Sequence, residues 1–160
     1  MRSLMPTLAL GSALAILIPG GSATPQAKDR AIGTWKLNLA KSKYDPGPPP
    51  QSLTVRYEES GLGVRVTTEG VDAQGNPTHT EYTANYDGKD SPARGSPDYS
   101  SVALKRLDVS TVKVTRKKDG KVVQTVTRVV SKDGKRLTTT TRGTDAKGRR
   151  VHNIAVFDRQ

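Results

Sequence analysis

Hydrophobic and polar residues alternate along much of this chain. In residues 53–58, Leu53, Val55 and Tyr57 fall on one face, and polar residues fall on the other. The same alternation recurs in residues 62–66 and 112–114. A period of two is typical of a β-strand with one covered and one solvated face. The pattern therefore predicts an all-β protein.

β-branched residues are concentrated in the same segments. Residues 138–141 are consecutive threonines, and valines crowd residues 122–130. Such side chains fit a pleated sheet better than a helix. We predict nine strands, at residues 32–38, 51–58, 62–70, 77–86, 100–107, 111–118, 121–131, 135–142 and 149–158.

Glycines mark the turns between these strands. Asp-Gly pairs at residues 87–88, 119–120 and 133–134 supply the positive φ that hairpin turns require. Many successive turn glycines are 13 or 14 residues apart, the length of one strand and one tight turn. This spacing predicts that consecutive strands pair as an antiparallel up-and-down meander. A loop with two prolines is expected over residues 88–99.

An open meander would expose two strand edges and leave one face uncovered. Closure of the sheet removes the edges, which otherwise invite aggregation. We therefore predict a small barrel or a strongly curled half-barrel. Residues 45–50, with four prolines, are expected to form a stiff linker between the first two strands.

The first predicted strand carries Gly33-Thr34-Trp35. A Gly-x-Trp motif on the first strand of a meander resembles the calycin superfamily, which includes the lipocalins and the fatty-acid-binding proteins. The resemblance implies that Gly33 and Trp35 form a structural plug at one barrel end, with a basic residue from a late strand against the tryptophan. It also implies a lipocalin-like, ligand-binding fold.

A second resemblance covers most of the chain. The Gly-x-Trp-Lys-Leu-Asn opening, the Lys-Ser-Lys-Tyr-x-Pro-Gly-Pro stretch and the repeated Lys-Asp-Gly-Lys turns are similar to a group of uncharacterised bacterial secreted proteins. This resemblance implies export and no particular activity.

Residues 1–23 have the pattern of a signal peptide. Arg2 precedes an apolar stretch over residues 7–18, and small residues follow at Gly21 and Ala23. The apolar stretch is shorter than the roughly 20 residues needed to cross a bilayer. We predict a periplasmic or extracellular protein with a signal peptide at 1–23, a flexible N-terminal lead at 24–31 and a β-barrel domain at 32–160. Cleavage after Ala27 is the alternative.

Composition narrows the function further. The absence of cysteine excludes disulfides, thiolate chemistry and lipoprotein acylation. Beyond the signal segment the chain carries 25 Lys and Arg against 15 Asp and Glu. This excess favours anionic partners, or serves solubility alone. No basic run indicates specific nucleic-acid binding.

Motifs for catalysis or cofactor binding are absent from the sequence. The histidines are His79 and His152, which fall in separate predicted strands. There is no Gly-x-Ser-x-Gly elbow and no glycine-rich phosphate loop. We therefore predict no metal, no cofactor and no catalytic residue, and a role other than that of an enzyme.

Large side chains are scarce, so the barrel interior is either filled by small aliphatic residues or open. The leading hypothesis is an exported barrel that binds a small, partly apolar molecule. Its predicted wall residues are Tyr57, Tyr82, Tyr86, Val114 and Val126.

Two alternatives remain open. Basic hairpin tips at residues 117–121 and 131–135 would form a positive rim if they shared one barrel end. That rim would dock on an anionic envelope polymer or a lipid surface. The other alternative is a purely structural envelope protein.

We expect the exported protein to begin at Thr24, because Gly21 and Ala23 present small side chains to the signal peptidase. Intact-mass measurement of protein recovered outside the cytoplasm tests this. A species that retains residues 1–23 would contradict export, and one that begins at Lys28 would support cleavage after Ala27.

Overall fold

Ten antiparallel strands close into a barrel in the computed structural model, which describes residues 27–160. The strands follow one another around the barrel in chain order, and the first pairs with the last. Their bounds are β1 (Gly33–Leu37), β2 (Ser52–Ser60), β3 (Gly63–Val71), β4 (Pro77–Asn85), β5 (Asp87–Arg94), β6 (Ser101–Arg106), β7 (Thr111–Lys118), β8 (Lys121–Val130), β9 (Arg136–Thr144) and β10 (Arg150–Arg159). The predicted all-β antiparallel meander, closed into a barrel, is confirmed.

Little else is regular in residues 27–160. One 3-10 turn, Leu39–Lys41, follows β1. No helix in this part of the chain is long and apolar enough to cross a membrane. The predicted signal peptide lies outside the described residues.

The hairpin between β7 and β8 illustrates how turn chemistry sets the strand pairing. Asp119 and Gly120 have φ angles of +50° and +76°. Positive φ at both central residues matches the twist of a two-residue hairpin. Lys118 therefore pairs directly with Lys121, and β7 and β8 form an antiparallel pair.

The chain between β1 and β2 extends the sheet before it turns away. Lys43 exchanges two backbone hydrogen bonds of 2.8 Å with Ile154 of β10. The His152 N–H then donates to the Asp45 carbonyl at 2.7 Å. The proline-rich segment that follows reaches β2 across one end of the barrel.

The two ends of the barrel differ. The closed end contains residues 27–32 and the turns at 61–62, 86, 107–110 and 131–135. The open end contains the β1–β2 connection and the turns at 72–76, 95–100, 119–120 and 145–149. Successive turns of a meander alternate between these ends, because each strand crosses the barrel once.

This alternation overturns the predicted basic rim. The tips at residues 117–121 and 131–135 are joined by β8 and therefore project from opposite ends. The 119–120 turn instead shares the open end with the β9–β10 turn at 145–149.

The loop predicted over residues 88–99 is wrong in its first half, which forms β5. This strand has no alternating apolar residues and is largely exposed, so hydrophobic patterning could not detect it. Backbone pairs hold it instead, such as Tyr82 with Ala93 and Asp90 with Ala103. The predicted turn at 87–88 lies within β5, beside an irregularity in its pairing.

The predicted flexible lead also needs correction at its end. Ala31 is fully buried, and Asp29 is 9% exposed. Arg30 donates to the Ser110 hydroxyl at 2.9 Å and to the Lys132 carbonyl at 2.6 Å. Residues 29–31 are therefore packed into the closed end by polar contacts with distant turns.

Trp35 lies at the centre of the closed end and is fully buried. Its Nε1 donates to the Ala31 carbonyl at 2.7 Å, and the Arg159 guanidinium lies 4.1 Å from the ring centroid. Arg159 also donates to backbone carbonyls of Ile32, Arg30 and Gly134 at 2.6–2.9 Å. One cation thereby joins the last strand to the start of the domain.

Gly33 permits this arrangement. Its φ is +132°, and a Cβ atom there would lie 2.7 Å from Nη1 of Arg159. A larger residue would displace the guanidinium that covers Trp35.

Trp35→Ala should lower the free energy of unfolding by about 3–5 kcal/mol, because it removes the largest buried side chain at the closed end. Denaturant titration followed by circular dichroism measures the loss. Trp35→Phe, which keeps an aromatic ring against Arg159, should lose much less. A loss below about 1 kcal/mol for the alanine variant would contradict the plug.

Candidate ligand cavity

The inward-facing side chains leave a cavity of about 330 Å³ that extends to the open end. Alternate residues of several strands point into it, since the pleat sends every second side chain inward. Its apolar wall comprises Leu53, Val55, Tyr57, Val66, Tyr82, Val126, Val151, Ala155 and Phe157. Tyr44, Pro46 and Pro48, from the β1–β2 connection, line it near the mouth.

Three of the five predicted ligand residues line this cavity: Tyr57, Tyr82 and Val126. Val114 is buried in the same core but is not part of the cavity wall. Burial raises the pKa of Tyr57 and of Tyr82, so both hydroxyls remain protonated at neutral pH.

Tyr86 is misplaced by the prediction. It directly follows β4 and continues the inward face of Tyr82 and Ala84, but it lies at the closed end, away from the cavity mouth. The ring lies at the closed end under the Arg106 guanidinium, and its hydroxyl donates to Asp29. Burial and the Asp29 carboxylate raise the pKa of Tyr86 to about 12.

A polar cluster of Arg116, Gln124 and Tyr99 forms one side of the cavity. Arg116 Nη1 donates to Gln124 Oε1 at 2.9 Å, and the guanidinium lies 4.5 Å from the Tyr99 ring centroid. Gln124 in turn donates to the Thr144 carbonyl at 3.0 Å. These contacts fix the guanidinium against the wall.

Arg116 has unused donor capacity. Its Nε is buried and has no hydrogen-bond partner. Among the described residues, no carboxylate forms an ion pair with it. Leaving a buried donor unpaired costs about 1–3 kcal/mol. The cavity wall therefore contains a guanidinium without a counter-charge, among both apolar and polar side chains.

The carboxylates at the mouth are occupied by loop contacts. Asp98 accepts from the Ala146 N–H at 2.8 Å, which joins two open-end loops. Asp145 accepts from Arg149 Nε at 2.8 Å within its own turn. Neither carboxylate neutralises Arg116.

Sequence reasoning missed this cluster, although a signal was present. The alternation that places Val112 and Val114 inward also places Arg116 inward, and Gln124 precedes inward Val126 in the same way.

A buried ion pair lies behind the cavity floor. Arg128, 3% exposed, contacts Asp29 Oδ2 through Nη2 at 2.5 Å and lies 4.8 Å from the Tyr57 ring centroid. Asp29 also accepts from the Ala31 N–H at 2.9 Å and from the Tyr86 hydroxyl. Burial acts to raise the pKa of Asp29, but Arg128 and these hydrogen bonds outweigh it, and the pKa is lowered.

The histidines are not part of the cavity wall. His79 lies on β4, with Nδ1 3.4 Å from Glu69 Oε1, and His152 lies on β10. Within residues 27–160 no group of three or more His, Cys, Asp or Glu side chains is placed to hold a metal ion.

Neither a family model nor a curated protein matches the sequence. Among solved structures, the chain is similar to a zebrafish ileal bile acid-binding protein complexed with cholic acid. The two are 13% identical, with a TM-score of 0.49, over 82% of this chain and 99% of that one. The barrel assignment rests on the strand pairing of this chain.

Asp29→Asn should lower the free energy of unfolding by about 3–5 kcal/mol at neutral pH, because it leaves Arg128 buried without a counter-charge. Because the folded-state pKa of Asp29 is lowered, its contribution is complete above the ordinary value of 3.8. It is lost as the pH falls through the lower folded-state value, so the difference between wild type and variant should shrink in acid. Denaturant titrations across this range measure it.

Glu81→Gln is the matched control, since it breaks the exposed pair with Arg65, whose atoms lie 2.7 Å apart. Its cost should stay below about 1 kcal/mol. Equal losses for the two variants would contradict a structural role for the buried pair.

Proposed function

We propose that this chain is an exported binding protein that holds one small, partly apolar molecule in its barrel. Export rests on the signal-peptide pattern of residues 1–23. The binding role rests chiefly on one observation: the Arg116 guanidinium lines a cavity of mixed apolar and polar walls and has no carboxylate partner among the described residues. The volume of about 330 Å³ is near the lower end of typical ligand pockets, which begin at about 300 Å³.

The wall chemistry defines the class of ligand. Valine, leucine and phenylalanine side chains favour an apolar body, because a ligand there recovers packing contacts that empty space forfeits. Arg116 favours a carboxylate or another strong acceptor at one end, since hydrogen bonds to a charged group are the stronger ones. The ligand is therefore a small amphipathic molecule whose acceptor group lies beside Arg116.

The lining residues support binding rather than catalysis. Those described contain neither histidine nor cysteine, and the carboxylates of Asp98 and Asp145 are held by loop contacts at the mouth. The threonines and tyrosines of the wall are neutral polar groups that orient a ligand.

Titration with an apolar fluorophore, followed by displacement with decanoate or decanol, tests the proposal. Arg116→Gln should weaken decanoate binding by about 10- to 100-fold, through loss of a charge-assisted hydrogen bond. Decanol binding should change little. Arg142→Gln, which removes an exposed arginine of β9, is the matched control and should affect neither ligand.

Native mass spectrometry of protein from its own host complements the titration. A retained small molecule would support the proposal. Failure of the fluorophore and both competitors to bind, with no retained molecule, would overturn it and favour a structural role. Binding that disappears at high salt would place the ligand on the exposed surface, since buried charges are screened much less.

A further inference from the structure

Two turns at the closed end expose large apolar side chains. Leu62, between β2 and β3, is 79% exposed. Leu107 and Val109, between β6 and β7, are 55% and 60% exposed. Exposed side chains of this kind at the tips of two closed-end turns have no role in the barrel core.

A groove extends from the first of these turns to the end of β6. Leu62 lines it together with Tyr86 and Arg106, and Arg106 directly precedes Leu107. The Arg106 guanidinium lies 4.3 Å from the Tyr86 ring centroid, which fixes a cation in this groove. The closed end thus presents apolar and cationic groups side by side.

The neighbouring β8–β9 turn adds further positive charge. Lys132, Lys135 and Arg136 are exposed there, and none forms an ion pair among the described residues. Asp133 is the acid of this turn, and its carboxylate accepts from the Ser131 hydroxyl at 2.6 Å and the Lys135 N–H at 3.0 Å. The cations outnumber it and remain free for an external anion.

The other acids of the closed end are similarly engaged. Asp108 accepts from the Ser110 N–H at 2.8 Å, and Asp87 accepts from the Lys89 N–H at 2.9 Å. Glu59 lies 3.2 Å from Lys28 Nζ. Local contacts hold these carboxylates near their own turns, and the Lys28 ammonium offsets the charge of Glu59.

We propose that the closed end docks on an anionic lipid bilayer, with Leu62, Leu107 and Val109 inserted at the headgroup boundary. Apolar side chains flanked by cations are the features that hold a peripheral protein at such a surface. A hydrated polyanion would engage the cations but would leave the apolar tips in water, which favours lipid over polymer. Docking here also leaves the cavity mouth, at the opposite end, facing away from the bilayer.

Val109 and Val122 provide a matched pair of sites for the test. Both are 60% exposed, but Val122 lies beside the 119–120 turn at the open end. Val109→Asp and Val122→Asp change the net charge equally, so any difference between them reports position. Flotation of the full exported protein with vesicles of phosphatidylcholine, with and without phosphatidylglycerol, measures partitioning.

The wild type should float with phosphatidylglycerol vesicles and much less with pure phosphatidylcholine. Val109→Asp and Leu62→Asp should each weaken partitioning about tenfold or more, since each places a charge where an apolar side chain enters the boundary. Val122→Asp should cost no more than a small factor.

Three results would overturn the proposal. Equal losses for Val109→Asp and Val122→Asp would mean that net charge alone governs binding. A larger loss for Val122→Asp would assign docking to the open end. Binding to dextran sulfate without binding to either vesicle would identify an anionic polymer as the partner. None of these results depends on an occupant in the cavity.

Discussion

The barrel is closed by β1, a strand of only five residues that pairs with β2 on one side and β10 on the other. Without it, two long strands would have free edges and the interior would be open to water. So short a strand cannot rely on its own ladder hydrogen bonds. The Trp35 side chain packs inside the barrel, and Arg159 covers it and donates to three nearby backbone carbonyls. Together they hold β1 in register.

Two inward-facing arginines are treated differently by this fold. Arg128 forms an ion pair with Asp29, 99 residues away in sequence, and lies over the Tyr57 ring. Arg116 donates to the Gln124 amide oxygen and lies over the Tyr99 ring, but it has no carboxylate partner among the described residues. The first arrangement satisfies its charge internally and serves stability. The Nε atoms of both arginines are buried without a partner, so the difference between them is the counter-charge, which Arg116 lacks. On this contrast the proposed binding role depends.

Much of the architecture could be predicted from the sequence because alternation and Asp-Gly turns are local signals. β5 was not predicted, because backbone pairing rather than an apolar face holds Asp87–Arg94 in the sheet. Alternation predicts that Tyr86 faces inward with Tyr82, but it does not indicate which end of the barrel contains the cavity. Successive turns of a meander alternate between the two ends, so the open-end position of residues 117–121 could be predicted from the sequence. The inward orientation of Arg116 could also be predicted, because Arg116 continues the alternation of Val112 and Val114. The contact of Asp29 with Arg128 was not, because no local pattern joins residues so far apart.

The pairing of β1 with β10 has a consequence for the order in which the molecule assembles. The hairpins between neighbouring strands join residues close in sequence and can form as the chain emerges. The closing contact joins the first strand to the last, so Trp35 gains its Arg159 cover only when the whole domain has been delivered. Until then the growing sheet has an unsealed inner face and two free edges, the state in which β-rich chains associate wrongly. A chain that crosses a membrane N-terminus first would remain in that state until its final strand arrives.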